Sequence, residues 1–169
     1  MGGLQNRIVE ELIGLIEEEL ALLRRKQSVS LEEYLGDVEL QHVVERALQK
    51  AIQACIDIGA RIISRLCLRR AESYHDIFDV LWQEGVIPLK LRDKMHEMVG
   101  LRNVLVREYR VIDPREIHRH LRESLGTLEE FASHIARFIS SGQEGFEGTV
   151  IRSERREGGE KGSGGGSNA

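Results

Sequence analysis

The run VELQHVVERALQKAIQACIDIGARIISRLCL, residues 38–68, constrains the fold more than any other stretch of the chain. Val38, Val43, Leu48, Ile52, Cys55, Ile56, Ile62 and Ile63 give it a broad apolar face at helical periodicity. A stripe this wide exceeds what a single neighbour covers, so the helix is expected to lie at the centre of a bundle, contacted on more than one side. Upstream, RIVEELIGLIEEELALLRR places Ile8, Leu12, Leu15, Ile16, Leu20 and Leu23 at steps of three and four, the pattern of an amphipathic helix. Polar RRKQSVS ends that helix, and the central one is expected to begin near Leu31 or Asp37.

Punctuation along the rest of the chain divides it into further helices. Ser73 offers a cap with Asp76 three residues later, before YHDIFDVLWQEG, and Gly85 is a natural stop. Pro88 suits the first turn of a helix expected to run through residue 109, because its missing N–H costs nothing there. Asp113, Pro114 and Glu116 form a strong start signal for the last helix, which reads through residue 139. The reading is an all-α antiparallel bundle of about five helices in one domain, residues 1–139. Residues 140–169 are rich in glycine and charge and read as a flexible tail, in which GSGGGS resembles an engineered linker.

Composition excludes more than it selects. With 41% hydrophobic and 31% charged residues the chain is globular rather than disordered, and a formal charge of −4 advertises no general nucleic-acid binder. A local basic groove on an acidic surface stays compatible with that charge. Cys55 and Cys67 stand ~18 Å apart along a helix, too far to bridge, so buried reduced thiols are expected. The N-terminus lacks a signal-peptide pattern and no apolar run reaches spanning length, which leads to the expectation of a cytoplasmic protein without membrane association.

Chemistry concentrates in LRNVLVREY, residues 101–109. On a wheel of roughly 100° per residue with Arg102 at zero, Met95, Met98, Val99, Leu105, Val106 and Tyr109 all fall within roughly 60° of it. Arg102 therefore projects through the middle of an apolar stripe, where an unpaired guanidinium is costly and demands a carboxylate, a phosphate or water. Asn103 and Arg107 lie together on the flank. The plain reading pairs Arg102 with an acidic residue on a neighbouring helix and makes Tyr109 a core aromatic with a wet hydroxyl. The sharper reading is a polar cleft, inside the bundle or between subunits.

These residues also carry a resemblance. MVGLRNVLVREY, residues 98–109, resembles the signature of the HepT-type toxins of the HEPN fold: arginine, four residues, histidine, one residue, tyrosine. ALQKAIQACIDIGARIISRL is similar to that family's long central helix, and ESYHDIFDVLWQEGVIP to its following helix and turn. The likeness runs in order across residues 5–138. It implies an all-helical homodimer in which two motif helices form a cleft that cuts RNA, tRNA among the candidates, without metal or cofactor. It also implies a nucleotidyltransferase antitoxin that silences the toxin by adenylylating the motif tyrosine. By position, Arg102 matches the family arginine, Asn103 its usual neighbour, and Tyr109 the modified tyrosine.

One position departs from the pattern: Arg107 stands where the family has histidine. Histidine exchanges protons near neutral pH, whereas arginine, with a pKa above about 12, cannot act as a general base. Arg107 still binds phosphate and stabilises negative charge, so a proton-transfer site becomes a phosphate clamp. Two origins fit the substitution: natural divergence, or a change introduced to silence a toxin. Other histidines are poor replacements. His96 shares the flank but lies roughly 16 Å back along the helix, and His118 and His120 read as exposed residues of the last helix. His42, His75 and His134 show no ligand spacing, so no metal site is expected. Two function classes follow: an endoribonuclease toxin impaired at Arg107, or a noncatalytic module that docks a nucleotidyltransferase and is modified by it.

Overall fold

The computed structural model describes residues 2–107 and 111–154, with side chains described for residues 6–107 and 111–142. The architecture is all-α. Among the described residues there are seven helices rather than about five: α1 Gly2–Lys26, α2 Leu31–Gly36, α3 Val38–Arg65, α4 Tyr74–Gln83, α5 Leu89–Leu105, α6 Pro114–Glu123 and α7 Leu125–Glu154. The extra two come from breaks inside segments that read as continuous. Leu31 and Asp37, weighed as alternative starts for one helix, are both used. Ser30 forms a reciprocal capping box with Glu33 to start α2, and the Asp37 carboxylate accepts from the Leu40 N–H to start α3. The last segment divides at Ser124, the C-cap of α6. The segment expected as a tail from residue 140 begins inside α7, which continues to Glu154; residues 155–169 lie outside the described residues.

Local chemistry explains most of the remaining boundaries. Ser73 Oγ accepts from the Asp76 N–H, and the Asp113 carboxylate accepts from the Arg115 N–H with Pro114 in the first turn, as their spacing predicts. Pro88 sits one position earlier than expected, as the N-cap of α5. Two helices end in the same hydrogen-bond pattern. At the end of α4, Val86 N–H bonds to Leu81 O and Gly85 N–H to Trp82 O, with Gly85 at φ 73°. At the end of α3, Leu68 and Cys67 make the equivalent bonds to Ile63 and Ser64. There a cysteine occupies the left-handed position at φ 51°, where glycine would avoid the Cβ strain. Cys67 is consequently outside the helix and exposed, while Cys55 is fully buried; the expectation of two buried thiols holds for Cys55 alone.

Most of the broad face of residues 38–68 is buried as its width requires, but Val38 and Val43, counted on that face, are exposed near the start of α3. α3 packs along α1 and also meets α4, α5, α6 and α7, so it is the central post of the bundle. Leu48, Ile52, Cys55, Ile56 and Ile58 are fully or almost fully removed from solvent. Gly59 marks a close approach of α3 and α4, because a Cβ placed there would meet Ile77 Cγ2 at 2.4 Å. That contact lets the first turn of α4 stand close to α3. Among the described residues, no helix is long and apolar enough to cross a membrane.

Candidate functional site

The site is built on the last turn of α5, where it lies between α3 and the beginning of α4. Arg102 is half-buried there. Its Nε donates to Oε1 of Gln53 on α3 at 2.9 Å, and one terminal nitrogen donates to Asn103 Oδ1 at 3.3 Å. The guanidinium carbon sits 4.9 Å from the centroid of the Tyr74 ring, at the first residue of α4, a cation–π geometry. Among the described residues Arg102 forms no ion pair. The carboxylate partner of the plain reading is therefore corrected to an amide and a ring face, and both leave the positive charge uncancelled. The position also suits a cation, because the last turn of a helix presents the negative end of its dipole.

The wheel locates Arg102 and Asn103 correctly and then overruns the helix. α5 closes at Leu105, Val106 caps it, and the Arg107 N–H bonds to Val104 O at 3.2 Å in a tightened final turn. Arg107 is exposed beyond that cap, so it does not share a helical flank with Asn103 and His96. Tyr109, expected on the same stripe as Arg102, lies outside the described residues.

The histidines are less exposed than their sequence context suggests. His118 and His120 are buried, at 8% and 6% exposure, instead of lying on the helix surface. His118 Nε2 is 2.8 Å from Val29 O and its ring packs on Tyr34, while His120 Nδ1 is 2.8 Å from Ser124 Oγ. Burial first, and the Arg119 charge second, lower the His120 pKa and favour a neutral imidazole. His120 borders a cleft of about 600 Å³ with Glu97, Leu101, Val104, Ile112 and Glu116. Leu101 and Val104 lie roughly 100° and 160° round α5 from Arg102, so this cleft opens on the opposite side of the helix. His75 and His96 pack edge to face at 5.3 Å, and His96 Nε2 approaches Asp79 Oδ1 at 3.0 Å without hydrogen-bond alignment. Arg92 bonds to the same Asp79 oxygen and stacks on Trp82. None of these histidine contacts involves Arg102.

Gln53 and Tyr74 are the residues of this site that the sequence does not single out. Gln53 sits half-buried between apolar neighbours Ile52 and Ala54, and only the docking of α5 on α3 reveals its role. Tyr74 carried a weak signal, since it directly follows the cap residue Ser73 and therefore stands in the first turn of α4.

Comparison with known proteins identifies the family and the fold. Residues 16–135 match the family described as ribonuclease HepT-like. The chain is 33% identical over 117 residues to a tRNA nuclease HepT of Aphanizomenon flos-aquae, covering 69% of this chain and 80% of that protein. It is similar to a toxin–antitoxin crystal structure with AMP-PNP, at TM-score 0.72 and 27% identity over 78% of this chain and 98% of that one. It is likewise similar to a tri-AMPylated Shewanella oneidensis HEPN toxin in complex with MNT antitoxin, at TM-score 0.71 and 28% identity over 77% of this chain and 97% of that one.

Proposed function

The chain belongs to the ribonuclease HepT-like family, and from that premise we propose that it is the toxin component of a toxin–antitoxin pair. Its RNA site is built on Arg102, Asn103 and Arg107, and its partner is a nucleotidyltransferase antitoxin that adenylylates Tyr109. A homodimer that joins two such sites in one cleft belongs to the proposal, as does the assignment of residues 1–139 to the family domain. The observation that carries it is the state of Arg102: a half-buried guanidinium at a helix end, held by neutral groups and still cationic. That is what capture of a phosphodiester requires, since a guanidinium already paired with a carboxylate has little charge to offer.

The chemistry follows from the side chains. Metal-independent cleavage of RNA needs a group that takes the ribose 2′-hydroxyl proton and another that protonates the leaving 5′-oxygen. Arg102 supplies charge to the phosphate, and Asn103 supplies a polar contact beside it. Arg107, exposed just beyond the cap, adds a second cation but no proton transfer. The site as it stands grips phosphate and cleaves poorly. Restoring the family residue with Arg107→His is expected to raise RNA cleavage by about 10²- to 10⁴-fold. Digestion of tRNA and of total RNA by both proteins, resolved on denaturing gels, measures it. Inertness of the Arg107→His protein on every RNA removes the nuclease part.

Arg107 itself favours one second reading, a noncatalytic module that docks the nucleotidyltransferase and is its substrate. Incubation with that enzyme and ATP, followed by intact mass, separates the two. Adenylate addition that disappears in Tyr109→Phe, together with an inert Arg107→His protein, selects the module. Sedimentation equilibrium of the unmodified chain tests the dimer.

A further inference from the structure

Arg102 is the last link of a side-chain relay that starts on α3. Asp57 Oδ1 accepts from Gln53 Nε2 at 2.9 Å, and Gln53 Oε1 accepts from Arg102 Nε at 2.9 Å. The polarity of this relay is forced. A carboxylate only accepts and a guanidinium only donates, so the amide between them has one orientation that satisfies both ends. Asp57 and Gln53 are four residues apart on α3, the spacing at which helical side chains meet. Asp57 is exposed and Gln53 half-buried, so the carboxylate stays in water while its effect passes inward through a neutral group.

We infer that Gln53 is a positioning residue for Arg102, fixed in its orientation by Asp57, and that Tyr74 completes the holder from the side of α4. Gln53 takes the Nε edge of the guanidinium, Asn103 takes one terminal N–H, and the Tyr74 ring covers one face. The remaining N–H groups are the ones that meet a phosphate. The distinctive feature is the choice of amide over carboxylate. A glutamate at position 53 would reach Nε equally well and bind it more strongly, but it would neutralise the charge on which phosphate binding depends. Glutamine orients without neutralising. This assignment rests on the RNA reading of the site, and its test reports on the two separately.

Gln53→Glu is the discriminating substitution, because it keeps size and shape while placing a negative charge on Arg102 Nε, at the cost of the N–H that reaches Asp57. Fluorescence anisotropy with fluorescein-labelled single-stranded RNA is measured across a salt series on the full chain, alongside thermal melting. The expected result is at least tenfold weaker RNA binding at low salt and a log K against log salt slope shallower by about 0.7 for each phosphate that is no longer neutralised, in a protein that still melts cooperatively. A purely structural Gln53 would leave affinity and slope where they were, and that result overturns the assignment. Should Gln53→Glu fail to fold, Gln53→Met keeps the length and removes the acceptor without adding charge. It is expected to weaken binding, and unchanged affinity in that variant overturns the assignment equally. Absence of RNA binding by the unaltered chain overturns the RNA reading itself, and the positioning role falls with it.

Discussion

Replacing Gly59 by alanine tests whether the approach of α3 and α4 is as close as described. In an unconstrained helix interior the change is favourable, since alanine exceeds glycine by about 1 kcal/mol. Here the new Cβ would stand 2.4 Å from Ile77 Cγ2 and 3.3 Å from Leu81 Cδ1. Carbon atoms pack at about 3.5–4.0 Å, so Ile77 must retreat by more than about 1 Å. It is 5% exposed and β-branched, with a stiff χ1, so the retreat carries α4 with it. Overpacking costs about 1–3 kcal/mol, and a displacement this large belongs at the upper end. After the helix-propensity gain, a net loss of about 2 kcal/mol is expected. That corresponds to a melting point about 4–8 °C lower in a protein of this size. Gly14→Ala in α1 is the reference, because no atom lies within 4 Å of its new Cβ, and it is expected to stabilise. Ile77→Leu should recover part of the loss in the double variant, since it removes the offending Cγ2 while the Ile77 Cβ is 3.9 Å away. Thermal and urea unfolding of the four proteins decides the matter. A Gly59→Ala protein as stable as the parent would refute the close approach of α3 and α4.

Other consequences are simpler to check. Cys67 is exposed whereas burial holds Cys55 inert with its thiol pKa pushed up, so native protein should titrate one fast thiol with a disulfide reagent, and Cys67→Ser should abolish it. Two fast thiols would contradict the burial of Cys55. Cys67→Gly removes the Cβ strain at φ 51° and is expected to stabilise by about 1 kcal/mol, read from urea midpoints; no gain would mean the position carries no strain. The folded pKa of His120 lies below its ordinary 6.5, so the unfolded chain protonates first as the pH falls. Its stabilising contribution is therefore complete above 6.5 and is lost as pH drops from there through the folded value. Urea midpoints across this window should fall less steeply in His120→Gln, and an unchanged pH profile would contradict the assignment. Ser73→Ala removes the cap of α4 and should cost about 1 kcal/mol, measurable by the same unfolding series; a cost near zero would show that the cap bond is dispensable.

Much of the fold is legible because its signals are local. The Ser73 and Asp113 caps, the Gly85 stop and the multi-sided burial of α3 each depend on residues within a few positions or on the summed width of one stripe. The errors have a common physical origin, which is that apolar periodicity persists across a break in the backbone. Leu31–Gly36 and Val38–Arg65 share a core-facing pattern, so the pattern alone cannot report that Asp37 interrupts the hydrogen-bond ladder. The same holds at Ser124, and again at the end of α5, where Val106 stays on the stripe although the helix has closed at Leu105. Capping chemistry decides such points, and the Ser30–Glu33 box was the readable sign that α2 stands alone.

The functional site divides along a different line. Periodicity fixes the direction of a side chain and says nothing of what waits there. Arg102 was legible as a guanidinium aimed at the apolar side, and the need for a polar partner follows from the cost of burying charge. Its partner, however, belongs to α3, forty-nine positions earlier, and although Asp57 four residues on sets Gln53 apart from Gln49, nothing local reports that Gln53 faces α5. The chemical kind of that partner is what bears on function. A carboxylate would have made Arg102 a structural ion pair, complete in itself. An amide leaves an oriented cation whose charge is still to be met. Arg107 sharpens the same contrast, since beyond the α5 cap it contributes a second cation and no group able to move a proton near neutral pH. In the proposed RNA site, binding and proton transfer are therefore separable, with the first resting on Arg102 and its amide holder and the second on the single position that departs from the family pattern.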